Sequence, residues 1–186
     1  MMKIKENKMD DSFSDIVSYQ LKKLLPLIST ILLILVAYIP VHVPLSKFLR
    51  ADIGIICVYF WALYRRDLFG PISVATIGIV ADSLSSVPLG VNIFTFMLVY
   101  VLATTYGNFV NTKPFIVSWS GFAIISFVAF FSKWLVLSVY YSCFLSLIGV
   151  LLAFVATALI YPLIARLNMF VQNKFLANEE VVYEQR

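Results

Sequence analysis

ADIGIICVYFWALYRRD, residues 51–67, is the stretch on which the fold of this chain turns. From Ile53 to Tyr64 it holds no charged or amide side chain, and Arg65-Arg66-Asp67 closes it. As a helix at about 1.5 Å per residue it falls short of the ~30 Å hydrocarbon core of a bilayer. A start nearer Leu49, or a bilayer thinned around it, would accommodate the shortfall. Charge decides whether the segment counts as a helix of its own. With six apolar helices and the N-terminus inside, eleven of the 14 Lys and Arg residues fall on inner segments. Only Lys47 and Arg50 fall outside, and Lys133 lies within the fifth helix. Inner loops rich in Lys and Arg are the rule for helical membrane proteins. Omitting the segment would move Arg65 and Arg66 outside and invert everything downstream. The short helix is therefore kept, and both termini are expected in the cytoplasm.

Composition agrees. Of 186 residues, 61% are hydrophobic and 13% charged, with a mean hydropathy of +0.93. A soluble domain carries roughly 25% charged residues. The apolar residues fall in long blocks, not in the alternating strands of a membrane β-barrel. Backbone groups in lipid must be paired within their own segment, so the blocks should be helices. The expected class is an all-α polytopic membrane protein with about six transmembrane helices. The net charge of +4 is spread thinly between apolar blocks, with no basic stripe, so nucleic acid is not an expected partner; the lipid bilayer is.

Three regions follow. Residues 1–23 form a cytoplasmic segment. Within it Phe13, Ile16, Val17 and Leu21 recur at helical steps, and Ser12 with Asp15 can act as a capping box, predicting an interfacial amphipathic helix. No cleavable signal peptide is evident. Residues 24–165 form the six-helix domain: Leu24–Val43, Ile53–Tyr64, Gly70–Leu84, Val91–Tyr106, Phe115–Leu137 and Cys143–Ile164. Pro26 fits the first turn of the first helix, and Pro40 and Pro44 end or kink it. Residues 166–186 read as a polar cytoplasmic tail.

The inventory of chemistry is thin. One histidine, His42, excludes a two-histidine metal site within the chain. There is no Walker loop and no GxGxxG. Cys57 and Cys143 sit in no CxxC pair and read as small buried apolar residues. No nucleophile–base pair or metal set is visible, so no catalytic, cofactor or metal residue is assigned and the chain is expected not to be an enzyme. Two ionisable groups within predicted helices remain, and such groups are costly in lipid. Asp82 shares a face with Gly78 and Ser86. A carboxylate at a helix C-terminus is disfavoured by the helix dipole, so it should have a partner. Either it pairs with Lys133 or Arg50, or Lys133 snorkels to the headgroups and Asp82 caps the turn into the fourth helix. In the last helix Gly149, Ala153 and Thr157 form a small-residue face suited to close helix packing.

The region from Ala51 to Tyr100 resembles the bacterial rod shape-determining protein MreD family. The resemblance rests on Asp52 opening an apolar helix, Tyr59-Phe60-Trp61-Ala62-Leu63 with Arg65-Arg66 behind it, Phe69-Gly70, Gly78, Asp82 and the Leu89-Gly90 turn. Ala51 stands where the family has proline, and Asn92 where a histidine or similar residue is common. The resemblance implies a non-catalytic component of the cell-wall elongation machinery in the bacterial inner membrane. Its implied partners are MreC, MreB filaments, RodA and a penicillin-binding transpeptidase, and its implied role is maintenance of cell shape. It also implies a fold similar to the substrate-binding subunits of energy-coupling-factor transporters. That similarity opens the alternative of a small-solute-binding membrane subunit using Asp82, Asn92 and Lys133. Asp52, Trp61, Gly78, Asp82, Leu89, Gly90 and Lys133 are the partner-binding or structural candidates.

Overall fold

The computed structural model describes residues 24–38, 51–85, 87–110 and 115–175. The predicted amphipathic segment, His42, Lys47, Arg50, Ser86 and the last eleven residues lie outside them. The described residues form six helices and no strand: α1 (Leu24–Tyr38), α2 (Ile53–Tyr64), α3 (Pro71–Leu84), α4 (Val91–Val110), α5 (Phe115–Tyr140) and α6 (Leu147–Phe175).

The shortness of α2 is explained by its position. Every residue from Ile55 to Leu63 is 0–1% exposed. A helix apolar all round is one buried on all sides, and α2 is packed chiefly between α4 and α6, with α3 and α5 also touching it. Its start is fixed by Asp52, which is non-helical at φ −87°, ψ 89° and whose side chain accepts from the Ile55 backbone N–H at 3.4 Å. A start nearer Leu49 is thereby corrected. Of the other helices, α3 packs chiefly on α4, and α5 on α4 and α6. On α1 the buried stripe is Pro26, Thr30 and Ile34, at four-residue spacing. On α5 it is Ser118, Phe122, Ile125, Ser126, Ala129 and Phe130.

The segments Phe115–Tyr140 and Leu147–Lys174 are long and apolar enough to cross a membrane. Only 28% and 22% of these spans is buried, whereas the core helix of a soluble protein is mostly enclosed. Their outward faces carry Ile116, Ile124, Phe131, Ile148, Leu159 and Leu163. Exposed apolar faces of this extent suit lipid and not water.

Three helices run past their expected ends. α4 reaches Val110 and α5 reaches Tyr140. α6 starts at Leu147, later than expected, because Ser142 takes φ +51° and residues 141–146 form the connection. Cys143 is therefore exposed in that loop instead of buried in a helix, while Cys57 is buried in α2; both thiols are free. α6 then continues ten residues beyond Ala165, through the start of the predicted polar tail, despite Pro162 in its interior. Proline lacks the N–H that would bond the carbonyl four residues back. Here that carbonyl, Ala158 O, accepts instead from Trp119 Nε1 of α5 at 3.0 Å. Trp119→Phe is expected to destabilise the α5–α6 pairing by about 1 kcal/mol. Adding Pro162→Ala, which restores the missing N–H, should recover most of that loss. Thermal exposure of Cys57 to a thiol-reactive dye, in a Cys143→Ser background, reads both variants; no recovery in the double variant would refute the assignment.

A second tie joins α2, α5 and α6. Tyr59 donates to Ser118 O at 3.0 Å, and Ser118 Oγ meets Tyr161 Oη at 3.1 Å. The Phe122 and Tyr161 rings stack at 4.2 Å, with Tyr59 edge-on to both.

Candidate functional site

Asp52, Asp82, Ser85, Asn92, Lys133 and Thr157 gather at the end where α2 begins. Asp82, in the last turn of α3, is 3% exposed. Its Oδ2 accepts from Gly90 N at 2.8 Å and its Oδ1 from Asn92 N at 2.9 Å. These are donors that the start of α4 would otherwise leave unpaired. A carboxylate is disfavoured at the C-terminus of α3 but favoured at the N-terminus of α4, where the dipole has the opposite sign. Among the described residues, the partner of Asp82 is thus a helix terminus and not a cation. The turn depends on Gly90, at φ +102°, a conformation that side chains with a Cβ rarely adopt.

Lys133 reaches a different carboxylate. Its Nζ lies 3.0 Å from Asp52 Oδ2 and donates to Asn92 Oδ1 at 2.7 Å. Both charged side chains of this pair are 18% exposed. Pairing of Lys133 with Asp82 is not what forms, and Lys133 does not snorkel outward; the cap expected of Asp82 is observed, while the expected pairing with Arg50 lies outside the described residues. Asn92 joins the two halves. Its backbone N–H serves Asp82, its Oδ1 serves Lys133, and its Nδ2 donates to Ser85 Oγ at 2.9 Å. Asp52 extends the chain to α6, its backbone N–H donating to Thr157 Oγ1 at 3.0 Å, while Thr157 itself donates to Ala153 O at 2.7 Å. One hydrogen-bonded path thus runs from α3 through α4 and α5 to α2 and α6. It lies well inside the long helices: Thr157 is about 15 Å along α6 from Leu147, and Lys133 about 10 Å short of Tyr140 at the usual rise.

Most candidates from the sequence meet here. Gly78 lies one turn before Asp82 and faces Ile93 of α4 so closely that a Cβ would fall 2.6 Å from Ile93 Cα. Leu89, beside Gly90, is 79% exposed. Trp61 sits apart, fully buried further along α2, with its indole nitrogen unpartnered among the described residues. The small-residue face of α6 is divided. Thr157 is buried in the tie, but a Cβ at Gly149 would meet nothing within 4 Å. Gly149 therefore packs no helix of the described chain.

Comparison with known families, characterised proteins and solved structures finds no match for this chain.

Among the described residues, no three His, Cys, Asp or Glu side chains gather to hold a metal. Lys133 satisfies Asp52 and the Asn92 carbonyl, the Asn92 amide nitrogen goes to Ser85, and the Asp82 carboxylate is taken by the backbone N–H groups of Gly90 and Asn92. Such a network fixes helices in one arrangement. Ser85 and Asp52 were the members hardest to find from sequence. Ser85 carried no signal, and Asp52 stood out only as the residue opening α2.

Proposed function

We propose that this chain is a non-catalytic, six-span component of the bacterial cell-wall elongation complex, of the MreD kind. In this reading it sits in the inner membrane with both termini cytoplasmic. It binds MreC and links MreB filaments to peptidoglycan synthesis by RodA and a penicillin-binding transpeptidase, and so maintains cell shape. One observation supports it above others. The residues that carry the resemblance are not scattered: Asp52, Gly78, Asp82 and Gly90 meet around one helix-tying network, and Tyr59 to Leu63 form the buried core directly beneath it. A network whose polar atoms are mutually satisfied suits a rigid scaffold better than a pocket awaiting a solute.

Leu89 is the proposed partner contact, because it is the exposed apolar residue on the turn that the network holds. Purification of the tagged chain in mild detergent is expected to recover MreC, and Leu89→Asp to lose it while Cys57 stays protected. Recovery of a coupling transmembrane subunit with ATPases instead would make the chain a transport subunit and overturn the scaffold. Unchanged cell width and MreC localisation after deletion of the chain would do the same.

A further inference from the structure

The outward-facing helices are of unequal length. α5 has 26 residues and α6 has 29, or about 39 and 44 Å at the usual rise. α3 has 14, or about 21 Å. Both of its ends are set, because the flanking Gly70 and Ser85 are extended at ψ 174° and ψ 147°. α2 is shorter still, but it is buried and so makes no demand on lipid. α3 packs chiefly on α4 and turns Ile72, Thr76, Ile79, Ser83 and Leu84 outward. A helix longer than the ~30 Å hydrocarbon core can tilt to fit, whereas tilting only shortens the span of a short one. The missing length lies at the end where α2 begins. The Asp82 cap and the Asn92–Lys133 bond hold the end of α3 and the start of α4 at the level of Lys133. Lys133 is about 10 Å short of the end of α5 at the usual rise. Its partner Asp52 is bonded to Thr157, which is about 15 Å along α6 from Leu147 by the same rise. Long charged side chains can bridge such a gap by snorkelling, but the end of α3 offers only Ser83, Ser85 and the committed Asp82.

We propose that this chain thins the bilayer beside α3, so that headgroups and water descend to Ser83 on the side where α2 begins. Water then reaches the edge of the polar network, where Asp52 and Lys133 are each 18% exposed, at a depth where α5 and α6 still face hydrocarbon. Thinning is one of the ordinary responses of a bilayer to a span that is too short, and its cost for each ångström is modest. A thinned patch also sorts its neighbours, since lipids and membrane proteins of short hydrophobic length fit it best. The proposal rests on the six-span membrane reading but not on any role in wall synthesis, and its readout needs no protein partner, so the two can fail separately.

The test uses the full chain in dioleoylphosphatidylcholine nanodiscs, where both membrane faces meet solvent. Ser83→Cys, Ile79→Cys and Phe131→Cys are made singly in a Cys143→Ser background and treated with a water-soluble maleimide. All three positions face outward, and continued protection of the buried Cys57 shows that each variant is folded. Ser83→Cys should react about tenfold faster than the other two, because the reactive thiolate forms in water and not in hydrocarbon. Ile79 lies one turn deeper on α3, and Phe131, two residues from Lys133, lies at a similar depth on α5. Phe131 is 48% exposed, so burial within the protein does not explain a slow reaction there. A Ser83→Cys variant as slow as Phe131→Cys would overturn the proposal, because lipid of full thickness or a second copy of the chain would then cover the end of α3. An Ile79→Cys variant as fast as Ser83→Cys would also overturn it, since α3 would face a water-filled crevice and not thinned lipid. Fast reaction at Phe131→Cys as well would remove the membrane setting itself, and the proposed function with it.

Discussion

Lys133→Met is expected to destabilise the bundle by about 3 kcal/mol, because it strands the Asp52 carboxylate in a site with little water. The side chain is removed from two acceptors at once, Asp52 Oδ2 and Asn92 Oδ1. Asp52→Asn should cost much less. An amide still caps α2, since asparagine and aspartate are comparable N-caps, and Lys133 keeps Asn92. The double variant Asp52→Asn with Lys133→Met should recover most of the loss, because no unpaired charge remains. Asp82→Asn combined with Lys133→Met should show no such recovery. The charge of Asp82 is spent on the N–H groups of Gly90 and Asn92, so its effect should simply add to that of Lys133→Met. Thermal exposure of Cys57, in a Cys143→Ser background, reports all of these, since that thiol is fully buried in α2. Recovery through Asp82→Asn, and not through Asp52→Asn, would reassign the partner of Lys133.

That pairing also marks where the sequence stops being legible. Lys133 was visible as an ion within an apolar helix, and the need of Asp82 for a partner followed from its place at a helix C-terminus. Opposite charges then invited a direct pair. The other reading, a cap on the turn into α4, is the one the backbone supplies, through N–H groups eight and ten residues along from Asp82. Backbone donors outcompeted the distant ammonium because the turn brings them close regardless of tertiary packing. The true partner of Lys133 lies 81 residues away, a distance that no local spacing encodes.

The helices themselves were legible to different degrees for physical reasons. α2 was read with both ends correct, since Asp52 and Arg65-Arg66 bracket an uninterrupted apolar run. α6 was cut short because Pro162 and Arg166 are ordinary stop signals. The indole of Trp119 removes the force of the first by taking the orphaned Ala158 carbonyl. Asn168, fully buried against α2 with its Nδ2 3.6 Å from Cys57 Sγ, shows that the helix still packs on the core beyond the second. The Gly149 end of the small-residue face meets no described residue, because α2 begins only at the level of Thr157.

Gly78→Ala is expected to cost about 1–3 kcal/mol, the range for forcing extra volume into a close-packed contact, and Gly78→Leu more. A Cβ there meets Ile93 Cα at 2.6 Å, Ile93 Cγ1 at 2.8 Å and Ile93 N at 3.0 Å. Two of those three atoms are backbone, so rotating a side chain cannot relieve the clash; α3 and α4 must separate. Separation at Gly78 is felt one turn later at Asp82, whose bonds to Gly90 and Asn92 span the same interface. Asn92 would then be drawn away from Lys133, so the variant should loosen the whole tie and not one contact. A second substitution distinguishes this from ordinary crowding. Ile93→Ala removes Cγ1 but leaves Cα and N in place, so it should not rescue Gly78→Ala. Gly78→Ala should also shrink the coupling between Asp52 and Lys133 in a double-mutant cycle, although it touches neither residue. A neutral Gly78→Ala, or full rescue by Ile93→Ala, would mean that the α3–α4 contact yields at little cost and that Gly78 does not set the geometry of the network.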